Sequence, residues 1–80
     1  MTLDSISTLL DLRGLKCPLP ALRTRKALRK LELGGLLIVE CTDPLASIDI
    51  PHLLQQTGDH LERQESLDGV VQFYIRRAQS

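Results

Sequence analysis

The sequence predicts an α/β two-layer sandwich, in which a four-stranded mixed sheet carries two helices on one face. Three observations support it: strands alternate in polarity near both ends, an apolar strand lies mid-chain, and a proline opens each helical segment. The order is βαβαββ, so a right-handed crossover makes the first two strands parallel and a tight turn pairs the last two. Eighty residues predict one domain, spanning 1–80.

The first half of the chain predicts a strand, a turn and a helix. Residues 8–13 alternate towards their end, and Gly14 turns the chain towards Cys17. Residues 18–31 begin with proline and continue with Ala, Leu, Arg and Lys, which favour a helix that Gly34 and Gly35 end. The inward stripe of this helix is predicted to be Ala21, Thr24, Leu28 and Leu31. We expect residues 1–7 and 78–80 to be loose.

The second half predicts a central strand, a second helix and a hairpin. Residues 36–41 are apolar on both faces, as a central strand requires. Asp43 is the predicted N-cap of the second helix, with Pro44 at its first position and Pro51 expected to kink or restart it. Its apolar contacts are predicted to be Ile48, Leu53 and Leu54. A weak polar strand over residues 60–66, a turn at Asp68-Gly69 and a last strand carrying Val71, Phe73 and Ile75 complete the order.

Cys17 precedes Pro18, Leu19 and Pro20 at the predicted start of the first helix. Backbone N–H groups at a helix start favour an anion, and the thiolate is the reactive form of cysteine. With Cys17 as N-cap, the N–H of Leu19 is best placed to reach the sulfur and that of Ala21 is next. Because Pro20 disfavours a helical Leu19, the helix could instead begin one or two residues later.

We therefore expect an exposed and modestly activated thiol at Cys17. A helix end stabilises an exposed anion by about 0.3–1 kcal/mol, which is less than one pKa unit. Lys16 and neighbouring arginines could add to this effect. Asp43 is also a supporting candidate, because the second helix begins beside the first.

Basic residues are concentrated around this position. Seven of the ten lie between positions 13 and 30, a stretch without acids, although ten acidic residues balance the charge of the whole chain. They form either the solvated face of a helix or a docking surface for an acidic partner or RNA phosphates. The zero net charge removes the simple argument for non-specific nucleic-acid binding, and direct nucleic-acid contact is the less favoured interpretation. The candidate docking residues are Lys16, Arg25, Lys26 and Arg29.

The remaining polar residues predict no metal site and no cofactor. Cys41 ends the central strand on its inward face, so we expect burial, with a redox partnership with Cys17 as the alternative. The chain has no C-x-x-C pair, and His52 and His60 have no ligand companions at metal-binding spacing. The N-terminus lacks the features of a signal peptide, and no apolar run reaches membrane-spanning length. We expect a cytoplasmic protein that has no membrane contact.

Two segments carry a family resemblance: residues 12–20 (LRGLKCPLP) and residues 25–28 (RKAL). They resemble the TusA (SirA-like) sulfur carriers, whose motif is C-P-x-P. Further matches are Asp43-Pro44, Asp49-Ile50-Pro51 and Thr57-Gly58, and the resemblance covers roughly residues 9–77. The family fold is a two-layer sandwich of βαβαββ order.

The resemblance implies that Cys17 carries sulfane sulfur as a persulfide, with the two prolines as its rigid support. The donor would be a cysteine desulfurase or a rhodanese, and the sulfur would pass to a downstream acceptor protein. In the namesake pathway the relay ends in 2-thiouridine of tRNA, whereas other members serve molybdenum-cofactor assembly or sulfur oxidation. Such a protein is a stoichiometric relay more than a catalyst acting alone.

Two alternatives stay open. One is a non-catalytic regulatory or RNA-binding module of the same fold, which would keep its function without Cys17. The other is a thiol–disulfide switch between Cys17 and Cys41. Burial of Cys41 would prevent that bridge without rearrangement.

Overall fold

The computed structural model of the protein describes residues 7–78, which form four strands and two helices. The helices and strands follow the predicted βαβαββ order. In chain order they are β1 (Ser7–Leu12), α1 (Leu19–Lys30), β2 (Leu36–Cys41), α2 (Ala46–Thr57), β3 (His60–Leu67) and β4 (Val70–Arg76). The predicted fold class is confirmed.

The strands form one sheet in the order β1-β2-β4-β3. β1 and β2 are parallel, with Leu12 opposite Cys41, and β3 and β4 form an antiparallel hairpin, as predicted. β4 also pairs antiparallel with β2, a position that the sequence did not predict. β2 is therefore central, which its apolar composition indicated.

The core lies between the sheet and the two helices, which pack against each other. Alternate residues of the central strands are buried there, including Leu37, Val39, Phe73 and Ile75. Helix α1 adds Leu28 and the other buried residues of its inward face. Because α1 follows β1 and α2 follows the parallel strand β2, the start of each helix lies at the edge where β1 and β2 end.

Helix α1 is shorter than predicted by one residue at each end. Its N-cap is Pro18, and Leu31 leaves the helix in an extended conformation. The predicted inward stripe is confirmed, because Thr24 and Leu28 are buried and Ala21 and Leu31 are half-buried.

Helix α2 differs from the prediction in three respects. Asp43 lies three residues before the first helical residue, and Leu45 is the observed N-cap. The helix continues without interruption through Pro51, so the predicted restart is wrong. Ile48 was predicted to pack inward and is instead 66% exposed. The buried residues Ala46, Ile50, Leu53 and Leu54 define the inner face, and Ile48 lies two residues, or about 200°, from Ala46 around the helix.

The hairpin turn between β3 and β4 is confirmed at Asp68-Gly69. Both residues have positive φ, 52° and 81°, as a type I′ turn requires, and glycine adopts this conformation without a Cβ clash. Ser7 belongs to β1, so the strand begins one residue before the predicted position, and Ala78 donates its N–H to Asp59 Oδ1 at 2.8 Å. The remaining residues expected to be loose, 1–6 and 79–80, lie outside the described residues.

Candidate functional site

Cys17 lies in the loop that joins β1 to α1, at the edge of the sheet where the two parallel strands end. Its side chain is exposed and unbridged, as predicted. The loop follows Leu12, which is buried opposite Cys41. The sulfur is therefore presented to solvent by a loop that is anchored on the core.

The backbone around Cys17 follows the second of the two predicted arrangements, in which the helix begins one residue later than it would with Cys17 as N-cap. The Cys17-Pro18 peptide bond is cis, and Pro18 is the cap residue. The N–H of Leu19 donates to the carbonyl of Lys16 at 2.9 Å, so it is not the predicted donor to the sulfur. The carbonyl of Pro18 accepts from the N–H of Leu22 at 3.1 Å and opens the helix one residue beyond Cys17.

The loop between β2 and α2 holds the Cys17 loop in place. Asp43 Oδ2 accepts the backbone N–H of Cys17 at 2.5 Å, while Oδ1 accepts the N–H of Leu45 at 3.1 Å. Thr42 Oγ1 accepts the N–H of Gly14 at 2.8 Å. A single carboxylate thus joins the start of α2 to the backbone of Cys17, and this position fits the predicted supporting role of Asp43.

Asp49 is a site residue that the sequence analysis did not single out as functional. The thiol of Cys17 donates to Asp49 Oδ2, with Sγ and Oδ2 2.8 Å apart, across 32 residues of sequence. Asp49 lies in the first turn of α2. Its only sequence signal was its place in the matching segment Asp49-Ile50-Pro51, which gives no indication of contact with Cys17.

The two carboxylates change the expected reactivity of Cys17. The hydrogen bond to Asp49 raises the pKa of the thiol above its ordinary value. Partial desolvation and the negative charges of Asp49 and Asp43 raise that pKa further. The prediction of a modestly activated thiol is therefore wrong for the isolated protein, because the nearby carboxylates raise the pKa of the thiol.

The predicted docking residues occupy different places around the site. Lys16 lines a cavity of about 450 Å³ together with Cys17 and Asp43. Arg25 lines a groove of about 270 Å³ that runs from Cys17 between α1 and α2. Lys26 is exposed on α1. Arg29 is exposed in the last turn of that helix, about 15 Å along the axis from its first residue.

Exposed apolar side chains also occur at this end of the molecule. Leu45 lines the cavity beside Cys17, and Leu22 lines the groove on its other side. Both are about half exposed, at 49% and 56%. Leu19 and Ile48 are exposed on the first turns of the two helices. Apolar surface next to a reactive group is typical of a site that another protein covers.

Cys41 is buried among the core residues, as predicted. Desolvation, with a smaller effect of the Asp43 charge, raises the pKa of its thiol to about 11. Both cysteines are free. Cys41 is consequently an inert core side chain at neutral pH.

The predicted exposure of His52 and His60 is confirmed. His52 Nε2 lies 3.5 Å from Gln56 Nε2, one turn further along α2. Within residues 7–78, no three His, Cys, Asp or Glu side chains group in a way that could hold a metal ion. In the same part of the chain, neither helix is long and apolar enough to cross a membrane.

Comparison with known proteins places the chain in a family. The family model described as "Sulfurtransferase TusA" matches residues 8–77, nearly the whole chain. The chain belongs to the TusA family. Within the family, the sulfur carrier protein TusA of Pseudomonas aeruginosa is 37% identical over 73 residues, which cover 91% of this chain and 92% of that relative.

Two further family comparisons concern length and fold. A relative from Aquifex aeolicus, named as a candidate sulfur carrier protein, is 44% identical over 69 residues. That match covers 86% of this chain but spans only 35% of the Aquifex protein. The crystal structure of a SirA-like protein from Desulfitobacterium hafniense matches with a TM-score of 0.78 and 27% identity, and covers 90% of this chain and 99% of the other.

Proposed function

We propose that this TusA-family protein is a sulfur carrier that accepts sulfane sulfur as a persulfide on Cys17 and passes it to an acceptor protein. The observation that carries the proposal is the exposed, free Cys17 on a loop fixed by Asp43. Pro18, Leu19 and Pro20 support that loop from the start of α1. The names of the relatives as sulfur carriers support the same role.

The proposed transfer is an exchange between sulfur atoms that balances without an oxidant or a reductant. The Cys17 thiol loses its proton to solvent, and the thiolate attacks the outer sulfur of a donor persulfide, R–S–SH. A new S–S bond forms at Cys17, while the S–S bond of the donor breaks and its electron pair stays on the inner sulfur. That sulfur leaves as a thiolate and takes up a proton. Delivery to the acceptor thiol repeats the exchange in the opposite direction.

The proposed partners are a cysteine desulfurase or a rhodanese-like donor and a downstream sulfur-acceptor protein. The exposed apolar residues Leu22 and Leu45 and the basic residue Arg25 flank the sulfur, which supports docking of a protein on either side of it. The favoured pathway is synthesis of 2-thiouridine in tRNA or related sulfur metabolism. A cytoplasmic location is proposed because thiols stay reduced in that compartment.

The test is sulfur loading followed by intact-protein mass spectrometry. Incubation with a cysteine desulfurase and cysteine should add one sulfur atom, which a reductant removes. Cys17→Ser should abolish the adduct, whereas Cys41→Ser should retain it because Cys41 is buried. An adduct that persists in Cys17→Ser would contradict the proposal.

The same variant separates the alternative of a non-catalytic RNA-binding module. That alternative predicts that Cys17→Ser keeps its function, and that RNA binding through the basic residues of α1 weakens steeply with salt.

A further inference from the structure

The contact between Cys17 and Asp49 joins an exposed nucleophile to a fixed negative charge. Asp49 Oδ2 accepts the thiol proton across 2.8 Å, and the carboxylate is half-buried. It lies in the first turn of α2, where backbone N–H groups stabilise an anion. The carboxylate of Asp49 therefore faces the sulfur directly from the start of α2.

We propose that Asp49 is a positioning residue that holds the Cys17 thiol protonated and weakly nucleophilic until a partner displaces or neutralises its carboxylate. The proposal rests on the sulfur-carrier function and adds a control of reactivity to it. An exposed thiol is prone to oxidation and unspecific exchange in proportion to its thiolate fraction. Asp49 therefore lowers the thiolate fraction of a side chain that must stay exposed so that a partner can dock.

Charged and titratable groups reach the sulfur from each element that packs around it. The groups that surround Cys17 are Lys16 on its own loop, Arg25 on α1, Asp43 before α2, and Asp49 and His52 on α2. In the part of the chain that the structure describes, no ion pair joins Asp49 to either of the two cations.

The hydrogen bond to Asp49 is also the largest cause of the raised pKa of the Cys17 thiol. Both carboxylate oxygens of Asp43 already accept backbone N–H groups. Asp49 is therefore the carboxylate whose removal should change the thiol most.

Release of the thiol requires a change at Asp49 when the donor docks. Breaking the hydrogen bond frees the thiol proton to solvent, and the resulting thiolate makes the attack on the donor persulfide described above. A cation or hydrogen-bond donor on the partner that contacts Asp49 would neutralise or occupy its carboxylate. The Cys17 thiol could then ionise more readily. We therefore infer that the docking surface of a productive donor presents such a group beside its own reactive sulfur.

The test measures alkylation of Cys17 by iodoacetamide, an uncharged reagent, as a function of pH. Asp49→Asn removes the charge but keeps the shape and an acceptor oxygen. We expect its rate profile to shift to lower pH and its rate at neutral pH to rise about threefold or more. The gain is smaller than the gain in thiolate, because nucleophilicity falls as the pKa falls, with a Brønsted slope of about 0.4–0.5.

Two control variants make the result specific. Glu32→Gln causes the same change of net charge, but Glu32 lies beyond the end of α1 that is far from Cys17. The alkylation rate profile of this variant should therefore match that of the wild-type protein. Asp49→Glu retains the charge and should return the profile towards the wild-type midpoint. Peptide mapping confirms that the adduct is on Cys17, and circular dichroism confirms that each variant is folded.

Several outcomes decide the matter. An unchanged profile in Asp49→Asn would overturn the proposal, and so would a slower reaction, which would mean that Asp49 acts as a general base. A shift equal to that of Glu32→Gln would show an effect of net charge alone and would also overturn it. If the profile shifts as expected but Cys17 takes up no sulfur from a desulfurase, the sulfur-carrier function fails while the control of the thiol by Asp49 stands.

Discussion

Asp43→Ala is the perturbation that most directly tests how the fold presents Cys17. The carboxylate of Asp43 is half-buried and accepts two backbone N–H groups, from Cys17 at 2.5 Å and from Leu45 at 3.1 Å. The hydrogen bond from the Leu45 N–H holds the turn before α2, and a typical hydrogen bond contributes about 0.5–1.5 kcal/mol to stability. A hydrogen bond to a charged group contributes about 1.5–3 kcal/mol. Because the site is open to water, we expect the free energy of unfolding to fall by about 2–3 kcal/mol in total.

The assay is urea unfolding followed by circular dichroism. For a domain of this size, 1 kcal/mol corresponds to about 4–8 °C, so in thermal unfolding the melting temperature should fall by about 8–24 °C. The matched control is Asp11→Ala, which also removes a carboxylate that accepts hydrogen bonds, here from the exposed Arg13. Because that ion pair is exposed to solvent, its loss should lower the free energy of unfolding much less than the loss of Asp43. Equal losses in the two variants would refute the argument that Asp43 anchors the Cys17 loop.

Two further predictions concern docking and the buried cysteine. Arg25→Glu should slow sulfur transfer with a protein partner about two- to tenfold at low salt, and much less at high salt, because Arg25 lines the groove beside Cys17. Arg29→Glu, an identical charge change in the last turn of α1, should have the smaller effect, and equal rates in stopped-flow or gel-based transfer assays would contradict this. The pKa of Cys41 is about 11 in the folded protein against an ordinary 9.0, so the unfolded chain loses this proton first as the pH rises. The stabilisation from Cys41 is thus complete below about pH 9 and disappears towards pH 11. The difference in urea midpoint between wild type and Cys41→Ala should shrink over that range, whereas a constant difference would show that burial does not perturb this thiol.

Local sequence rules predicted the order of the helices and strands because each one carries its own signal. Residues 36–41 are apolar on both faces and form the central β2, and Asp68-Gly69 supplies the two positive φ angles of the hairpin. The helical positions of Ala46, Ile50 and Leu53 also determine the inner face of α2. The same 3.6-residue spacing excludes Ile48 from that face, so its misassignment was an error of interpretation and no signal was missing.

Residues far apart in sequence decided the chemistry of the site. The helix start alone predicted a more acidic thiol, but Asp49 and Asp43 reach Cys17 from 32 and 26 residues away and reverse the direction of the shift. Their approach depends on the parallel pairing of β1 with β2 and on α2 packing beside α1. No local pattern encodes that packing.

The sequence by itself therefore determined which residue presents a sulfur atom, because an exposed cysteine before a proline-rich helix start is a local property. Only the tertiary structure decided how reactive that sulfur is. Electrostatic effects on a thiol depend on distances in space, and folding alone brings the two carboxylates within hydrogen-bonding distance of Cys17.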